Sequence, residues 1–454
     1  VLSSALKNVK PQINKTCLAL EKIDPNRYPE QFKGVAVRSL IRQMSEALVS
    51  LDSSLVEVED FLAVTPEVLA ADEVKNYLVL FQNDKELRPT GGFWTAYAIF
   101  RMEKGKIVGI SDGDIYFLDI DNRVPFYPVA PDIIQKYLKI KNWYIRDTNL
   151  SPDYRRSVET MLEFWARVPG VPPVDGVFAL DTVVIERLLG VLGAITIPNF
   201  GEFNQENVVH QLELFANDLG MQKEKRGDRK DLLGILMREI INRVFAFPTK
   251  DYDTLFTKLI GLAEEKHLLF YFDNEKAQAL AEKYNLAGRI KGAEGDYLHI
   301  NDANFGGMKA NWYMKETVAK DTYKEGDRWL SQITIDYENT GDYHSLWNTG
   351  YRDYVRIYVP RGSKLISGEG SLETVTSGED LGKTYFAAFM AVNPKQKAQL
   401  TVNYELPDGV IDRSPYKLFI QKQPGTDIES MTVSVNKRSE TVDLRTDNEV
   451  EIKF

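Results

Sequence analysis

A polar loop between two apolar runs holds the residues best suited to binding an anion. The runs cover 77–81 and 93–100, and the loop between them reads QNDKELRPTGG. Arg88 offers a forked, permanently charged set of donors that suits phosphate or carboxylate. Three small residues that let another group approach the backbone follow it: Thr90, Gly91 and Gly92. One interpretation is a ligand-binding loop at the end of a buried strand. The other is a hairpin turn in which Arg88 pairs with Asp84 or Glu86.

An acidic segment further along, SDGDIYFLDID at 111–121, is the candidate for a metal site. Asp112 and Asp114 stand two residues apart at the start of a predicted strand over 115–119, so both carboxylates could point the same way. Paired carboxylates suit Mg²⁺ or Ca²⁺, and the segment therefore predicts a magnesium site at this pair. The alternative is a solvated turn whose carboxylates accept hydrogen bonds from backbone N–H groups.

A second candidate for anion binding is the loop YIRDTNLSPDY at 144–154, which precedes a predicted helix. The amino terminus of a helix with an arginine beside it can hold an anion, which makes Arg146 and Asp147 candidate ligand-binding residues. The alternative is that Asp147 pairs with Arg146 or Arg88 and fixes the loop. In both interpretations we expect the loops 83–92 and 145–153 to lie side by side at one end of a sheet.

The most basic run of the chain, KEKRGDRKDLLG at 223–234, includes Arg229 and Lys230. Such a run in an otherwise acidic protein suits a phosphate group. More often, such a run forms the solvated first turn of a helix.

Composition excludes several classes of function. The net charge of −10 argues against a general nucleic-acid-binding protein. A single cysteine, Cys17, excludes an internal disulfide framework, and four dispersed histidines disfavour a zinc site. No apolar run reaches the roughly 18–20 residues that a bilayer span requires.

The chain divides into three predicted regions. Helical periodicity over 1–75, with a predicted helix start at Thr65-Pro66-Glu67, indicates a helical stalk or hairpin. Strands and helices alternate over 76–290, which predicts an α/β layered domain. Over 291–454, short runs rich in Tyr, Val, Ile and Thr predict an antiparallel β-sandwich.

Four ordered motifs resemble a bacterial family called domain of unknown function 4012. They are ELRPTGGF at 86–93, WYIRDTNLSPDY at 143–154, VDGVFALD at 174–181 and DANFGGMKANWY at 302–313. The resemblance implies a membrane helix just before such a region, outside this chain. It therefore implies a membrane-anchored protein on the extracellular face of the bacterial membrane.

The order of the central elements more distantly resembles the LytR-CpsA-Psr phosphotransferases, which attach glycopolymers to bacterial cell walls. The resemblance implies an enzyme that binds a polyprenyl-pyrophosphate lipid with arginines and a divalent metal. By order, Arg88, Asp114 and Arg229 would be catalytic, and Lys230 would complete a late basic pair. Those enzymes usually carry an arginine beside the acidic residue, where this chain has Gly113. The lipid tail would need an elongated apolar cavity next to Arg88. The alternative is a non-catalytic surface adhesion or envelope-assembly protein that binds cell-wall glycan.

Overall fold

The computed structural model describes residues 2–20, 22–28, 30–31, 36–120, 127–221, 226–412, 414–428 and 430–454. The chain forms two compact units. One comprises 1–75, 101–108 and 274–280, and the other comprises 76–100, 109–273 and 281–454.

Two helices dominate the first unit, α1 (Leu2–Leu20) and α2 (Val37–Val68). They pack on each other, and Lys10 forms an ion pair with Glu59 across them. The predicted helix start at Thr65-Pro66-Glu67 is wrong, because α2 continues through it. The Thr65 hydroxyl donates to the Phe61 carbonyl at 2.6 Å, as a residue inside a helix does. No helix in the described part of the chain has the length and apolarity of a membrane span.

A five-stranded sheet organises the first part of the second unit, in the order β3-β2-β1-β4-β7. β4 runs parallel to β1, and β7 runs antiparallel to β4. The strands of this sheet are β1 (Lys75–Asn83), β2 (Phe93–Glu103), β3 (Lys106–Asp114), β4 (Gly176–Leu180) and β7 (Leu268–Phe272). A separate two-stranded sheet pairs β5 (Ile195–Ile197) with β6 (Gly201–Phe203).

Helices follow most of these strands. They are α3 (Ile115–Ile120), α4 (Asp132–Leu138), α5 (Tyr154–Trp165), α6 (Thr182–Leu192), α7 (Val208–Met221), α8 (Arg226–Phe245), α9 (Tyr252–Glu264) and α10 (Glu275–Lys283). The predicted strand at 115–119 is wrong, since these residues form α3. The Asp114 carboxylate accepts from the Tyr116 N–H at 2.8 Å, which favours a helical turn, and Ile115 and Leu118 bury one face of it. The sequence pattern of 250–288 predicts two helices, but β7 lies within this segment, between α9 and α10.

The central strand β1 is buried on both faces, as its continuous apolar run predicts. Leu78 and Leu80 pack with Val158 and Met161 of α5, whereas Val79 packs in a second cluster with Met237 of α8. Adjacent residues of a strand point to opposite faces, so helices cover both sides of the sheet. The region is therefore a mixed α/β structure.

The C-terminal region is rich in β-structure, and its described residues over 314–454 include no helix. Two six-stranded sheets have the orders β12-β15-β10-β9-β17-β18 and β13-β14-β11-β8-β16-β19. Their strands are β8 (Asp296–Asn301), β9 (Met314–Glu325), β10 (Arg328–Asn339), β11 (Tyr351–Val359), β12 (Lys364–Glu369), β13 (Thr376–Asp380), β14 (Lys383–Val392), β15 (Lys397–Glu405), β16 (Tyr416–Ile420), β17 (Ser430–Val435), β18 (Arg438–Asp443) and β19 (Asn448–Ile452).

Both sheets contribute to one hydrophobic core. It includes Ile333 and Tyr404 from the first sheet and Val355 and Met390 from the second. The predicted antiparallel β-sandwich is confirmed as a β-rich region, but two of its strand pairs are parallel, β16 with β8 and β17 with β9. Long connections separate the members of these two pairs in the chain, and long connections permit parallel pairing.

Candidate functional site

The loops 83–92 and 145–153 lie side by side, as the sequence predicts. The Asn149 side-chain amide donates to the Thr90 hydroxyl at 3.1 Å and to the Gly92 carbonyl at 2.9 Å. Gly91 has a φ of +122°, and a Cβ at Gly92 would lie 2.4 Å from the carbonyl carbon of Asn83. The small residues therefore allow other parts of the protein itself to approach the loop backbone closely.

Arg88 is buried, and its two terminal nitrogens contact neighbouring protein groups, whereas its Nε has no hydrogen-bond partner among the described residues. Its guanidinium donates to the carbonyl of Asn304 and pairs with Glu86 at 3.2 Å. It also lies 5.3 Å from the ring centre of Phe93 and 5.5 Å from that of Phe305. The structure therefore agrees with the alternative in which Arg88 pairs with Glu86.

Arg146 and Asp147 form a second buried network. Arg146 pairs with Asp119 at 2.9 Å and lies 3.7 Å from Asp147, with its guanidinium 4.2 Å from the ring centre of Tyr144. Burial raises the pKa of Asp147 to about 6, although the positive charges of Arg88 and Arg146 oppose the shift. These contacts correspond to the alternative in which the loop is fixed by ion pairs.

A cavity of about 320 Å³ lies between the five-stranded sheet and helices α6, α7 and α8. This volume is at the lower end of the range of roughly 300–1,000 Å³ for small-molecule sites. Its walls are largely apolar, with Phe81, Phe93, Ala96 and Leu180 on the sheet side and Ile185, Leu212 and Met237 on the helix side. Arg88 does not line the cavity, although the ring of Phe93 that it contacts does.

Asp112 and Asp114 both line this cavity, and each has a protein partner. Arg238 donates to Asp112 at 3.1 Å, and the Tyr116 N–H donates to Asp114 at 2.8 Å. Among the residues that the structure describes, no three or more His, Cys, Asp or Glu side chains are grouped to hold a metal ion. Magnesium binding at this pair stays a prediction.

Arg229 and Lys230 lie in the first two turns of α8, shortly before Leu232, Leu233 and Gly234, which line the cavity. The structure describes their backbone but not their side chains. Lys223 and Lys225 of the same basic run lie outside the described residues.

The polar groups of the cavity lie mainly at strand ends. Asn83 ends β1 and Asp181 follows β4, its parallel neighbour, which is where α/β proteins place ligand-binding groups. Asp181 accepts from the Val183 N–H at 3.1 Å and lies 2.6 Å from Nδ1 of His267. Burial raises the pKa of the Asp181 carboxyl, and His267 opposes that shift.

Two charged lining residues escaped the sequence analysis, Glu213 and Lys309. The Lys309 ammonium lies 3.5 Å from Glu213 and 4.0 Å from Glu86. Glu213 also accepts from the Asn83 side-chain amide at 2.7 Å. No sequence signal placed these residues together, because Glu213 belongs to α7 and Lys309 to the DANFGGMKANWY motif that precedes β9.

Comparisons with solved structures give weak likenesses only. The Lin1025 protein from Listeria innocua has 13% identity over 50% of this chain and 84% of its own, with a TM-score of 0.26. An M1 zinc metallopeptidase from Deinococcus radiodurans, bound to a Tyr-Ser-Ala substrate, has 8% identity over 28% of this chain and 32% of its own, with a TM-score of 0.17. Scores this low establish no shared fold. No curated protein sequence matches the chain.

Sequence comparison with families is more informative. Residues 72–215 match the family model described as "Protein of unknown function (DUF4012)". The match contains three of the four motifs on which the resemblance rests. Residues 72–215 of this chain are therefore a DUF4012 region.

Proposed function

We propose that this protein binds the apolar chain of a polyprenyl-type lipid of the bacterial cell envelope, on the extracellular face of the membrane. The observation that carries the proposal is the cavity between the sheet and α6–α8, whose walls are apolar and whose polar groups lie at strand ends. An apolar wall gains free energy from an apolar ligand, at about 25 cal/mol per Å² removed from water. At about 320 Å³, the cavity would take a segment of such a chain.

Binding without glycopolymer transfer fits the described residues better than phosphotransferase activity. A pyrophosphate clamp needs arginines that are free to face the ligand. Arg88 and Arg146 are instead committed to Glu86 and Asp119. Phosphotransferase activity stays the second candidate because Asp112 and Asp114 both line the cavity, where they would hold Mg²⁺ if it binds.

The other regions have supporting roles in this proposal. The helices α1 and α2 would form a stalk that connects to a membrane anchor outside this chain. The two six-stranded sheets, which share one core, would form a β-sandwich that serves as a spacer or adhesion module against cell-wall glycan. The role of the sandwich rests on fold-level analogy.

The proposal can be tested by filling the cavity. Leu212 of α7 lines it, whereas Leu214, two residues along the same helix, is exposed. We expect Leu212→Trp to weaken binding of a polyprenyl phosphate by at least about tenfold, and Leu214→Trp to leave it unchanged. Binding would be measured by native mass spectrometry in detergent, with thermal unfolding as a check that both variants fold.

Two results would contradict the proposal. One is a wild-type protein that binds no polyprenyl lipid. The other is a Leu212→Trp variant that stays folded and binds as tightly as Leu214→Trp, since the lipid would then occupy another part of the molecule. Release of free phosphate or transfer of a labelled glycan by the wild type would instead favour the phosphotransferase.

A further inference from the structure

We infer that Lys309 is the residue that binds the head group of the ligand, and that this head group carries an anionic phosphate or carboxylate. This inference deepens the proposed function and rests on it. Lys309 is the one basic side chain that lines the cavity in the described part of the chain. Neither the sequence motifs nor the family match at 72–215 assigns it a role.

The geometry around Lys309 leaves its ammonium group with unused capacity. Its two carboxylate neighbours lie at 3.5 and 4.0 Å, longer than the 2.7–2.9 Å of a strong charge-assisted hydrogen bond. Each carboxylate has a nearer partner, since Glu213 accepts from Asn83 at 2.7 Å and Glu86 pairs with Arg88 at 3.2 Å. An ammonium group has three donors, and a ligand oxygen could accept from them.

The backbone around Lys309 is held in place while its side chain faces the cavity. The Lys309 N–H donates to the Trp347 carbonyl at 2.9 Å, and its carbonyl accepts from the Trp312 N–H at 3.1 Å. The His210 ring packs against both tryptophans, at 5.8 Å from Trp312 and 4.9 Å from Trp347. A fixed backbone lowers the entropy that binding must overcome, because only the side chain has to be ordered.

The carboxylates of the cavity do not prevent an anion from binding at this end. Asp112 pairs with Arg238 at 3.1 Å, Asp114 accepts from the Tyr116 N–H at 2.8 Å, and Asp181 lies 2.6 Å from His267. These three belong to other parts of the wall, β3 and the start of α6. Glu86 and Glu213 flank Lys309, and their two negative charges are offset by the positive charges of Arg88 and Lys309. They hold the ammonium near the cavity wall until a ligand replaces them as its nearest acceptor.

The experiment compares ligands that share a chain and differ in the head group. Affinities for a polyprenyl phosphate, the uncharged polyprenol of the same length and a long-chain fatty acid would be measured by native mass spectrometry. The variants are Lys309→Met, Lys309→Arg and, as a matched control, Lys258→Met at an exposed position of α9.

We expect the wild type to prefer the phosphate over the alcohol by roughly ten- to a hundredfold, as a charged hydrogen bond would provide. Lys309→Met should lose that preference while binding the alcohol as before. Lys309→Arg and Lys258→Met should keep it. The fatty acid decides the source of the anion: tight binding indicates a carboxylate head group, and weak binding indicates a phosphate.

The outcomes separate this inference from the proposed function. If Lys309→Met keeps the preference for the phosphate, or if the wild type binds both polyprenyl ligands equally, Lys309 is not the head-group residue and the lipid-binding proposal survives. If the wild type binds none of the three ligands, both proposals fail.

Discussion

Lys320 and Lys309 are both shielded from bulk water, but they differ in how closely their ammonium groups are contacted by partners. Lys320 in the β-rich core donates to Thr322, Ser331 and Tyr404 at 2.8–3.1 Å and pairs with Asp296 at 3.0 Å. Burial alone would lower the pKa of Lys320, but Asp296 and Tyr404 raise it. Lys309 has only long contacts, at 3.5 and 4.0 Å, in the part of the chain that the structure describes.

The difference shows how to distinguish a structural charge from a binding charge. A buried ammonium whose partners are all at hydrogen-bonding distance has nothing left to offer a ligand. An ammonium at a cavity wall with distant partners can exchange them at little cost. The two cases also match their positions, because Lys320 contacts Tyr404 of the core shared by the two sheets, whereas Lys309 lines the cavity beside the five-stranded sheet.

The largest expected effect tests this contrast directly. Replacing Lys320 by Met leaves Asp296 buried without its partner, which should cost about 3–5 kcal/mol of unfolding free energy. Lys309→Met leaves no fully buried charge alone and should cost less than about 1 kcal/mol. Urea denaturation of both variants would measure the difference. Equal losses would show that Lys309 is as structural as Lys320.

A somewhat smaller effect is expected at Arg88, which the sequence resemblance makes catalytic and the structure shows paired. Arg88→Met should lower the unfolding free energy by about 3 kcal/mol, because Glu86 loses its nearest cation in a buried site. Where the variant stays folded, its affinity for the uncharged polyprenol should be unchanged, because Arg88 does not line the cavity. Arg156→Met, at a mostly exposed side chain, is the control. If Arg88→Met unfolds with the same free energy as the wild type but no longer binds the lipid, Arg88 belongs to the binding site.

The smallest effect concerns pH and the three carboxyl groups Asp302, Glu316 and Asp353, which are buried against one another. Burial raises the pKa of all three, and that of Asp302 to about 6. The folded protein therefore holds protons that the unfolded chain releases near pH 4. The stabilisation from these protons is complete below that pH and is lost as the pH rises.

Asp353→Asn should reduce this loss, because the amide can still donate to Asp302 but cannot release a proton. We expect the variant's unfolding free energy to fall less steeply between about pH 4 and pH 6, by up to about 1.4 kcal/mol per pH unit. Denaturation at several pH values would measure the slope, with Asp408→Asn at an exposed position as the control. Identical slopes in the wild type and Asp353→Asn would contradict the shared burial of these groups.

The amino-acid sequence by itself determined the local elements and the family. The continuous apolar run of β1, the helical periodicity of α5 and α6 and the change to short β-runs after residue 291 are local patterns, and local sterics and burial enforce them. The ordered motifs identified the family over 72–215. The local pattern of 115–119 fits both a strand and a helix. The strand prediction is wrong because the Asp114 carboxylate accepts a hydrogen bond from the Tyr116 N–H, which favours the helix.

The tertiary structure decided which charges are free to act. A sequence shows that Arg88 and Arg146 are charged, but not that Glu86 and Asp119 lie within 3.2 and 2.9 Å of them. It likewise gives no reason to place Lys309 beside Glu213, which lies on a distant helix of the chain. Whether a charge is engaged or available depends on partners brought together by the fold, and Coulomb energies change steeply with that distance and with burial.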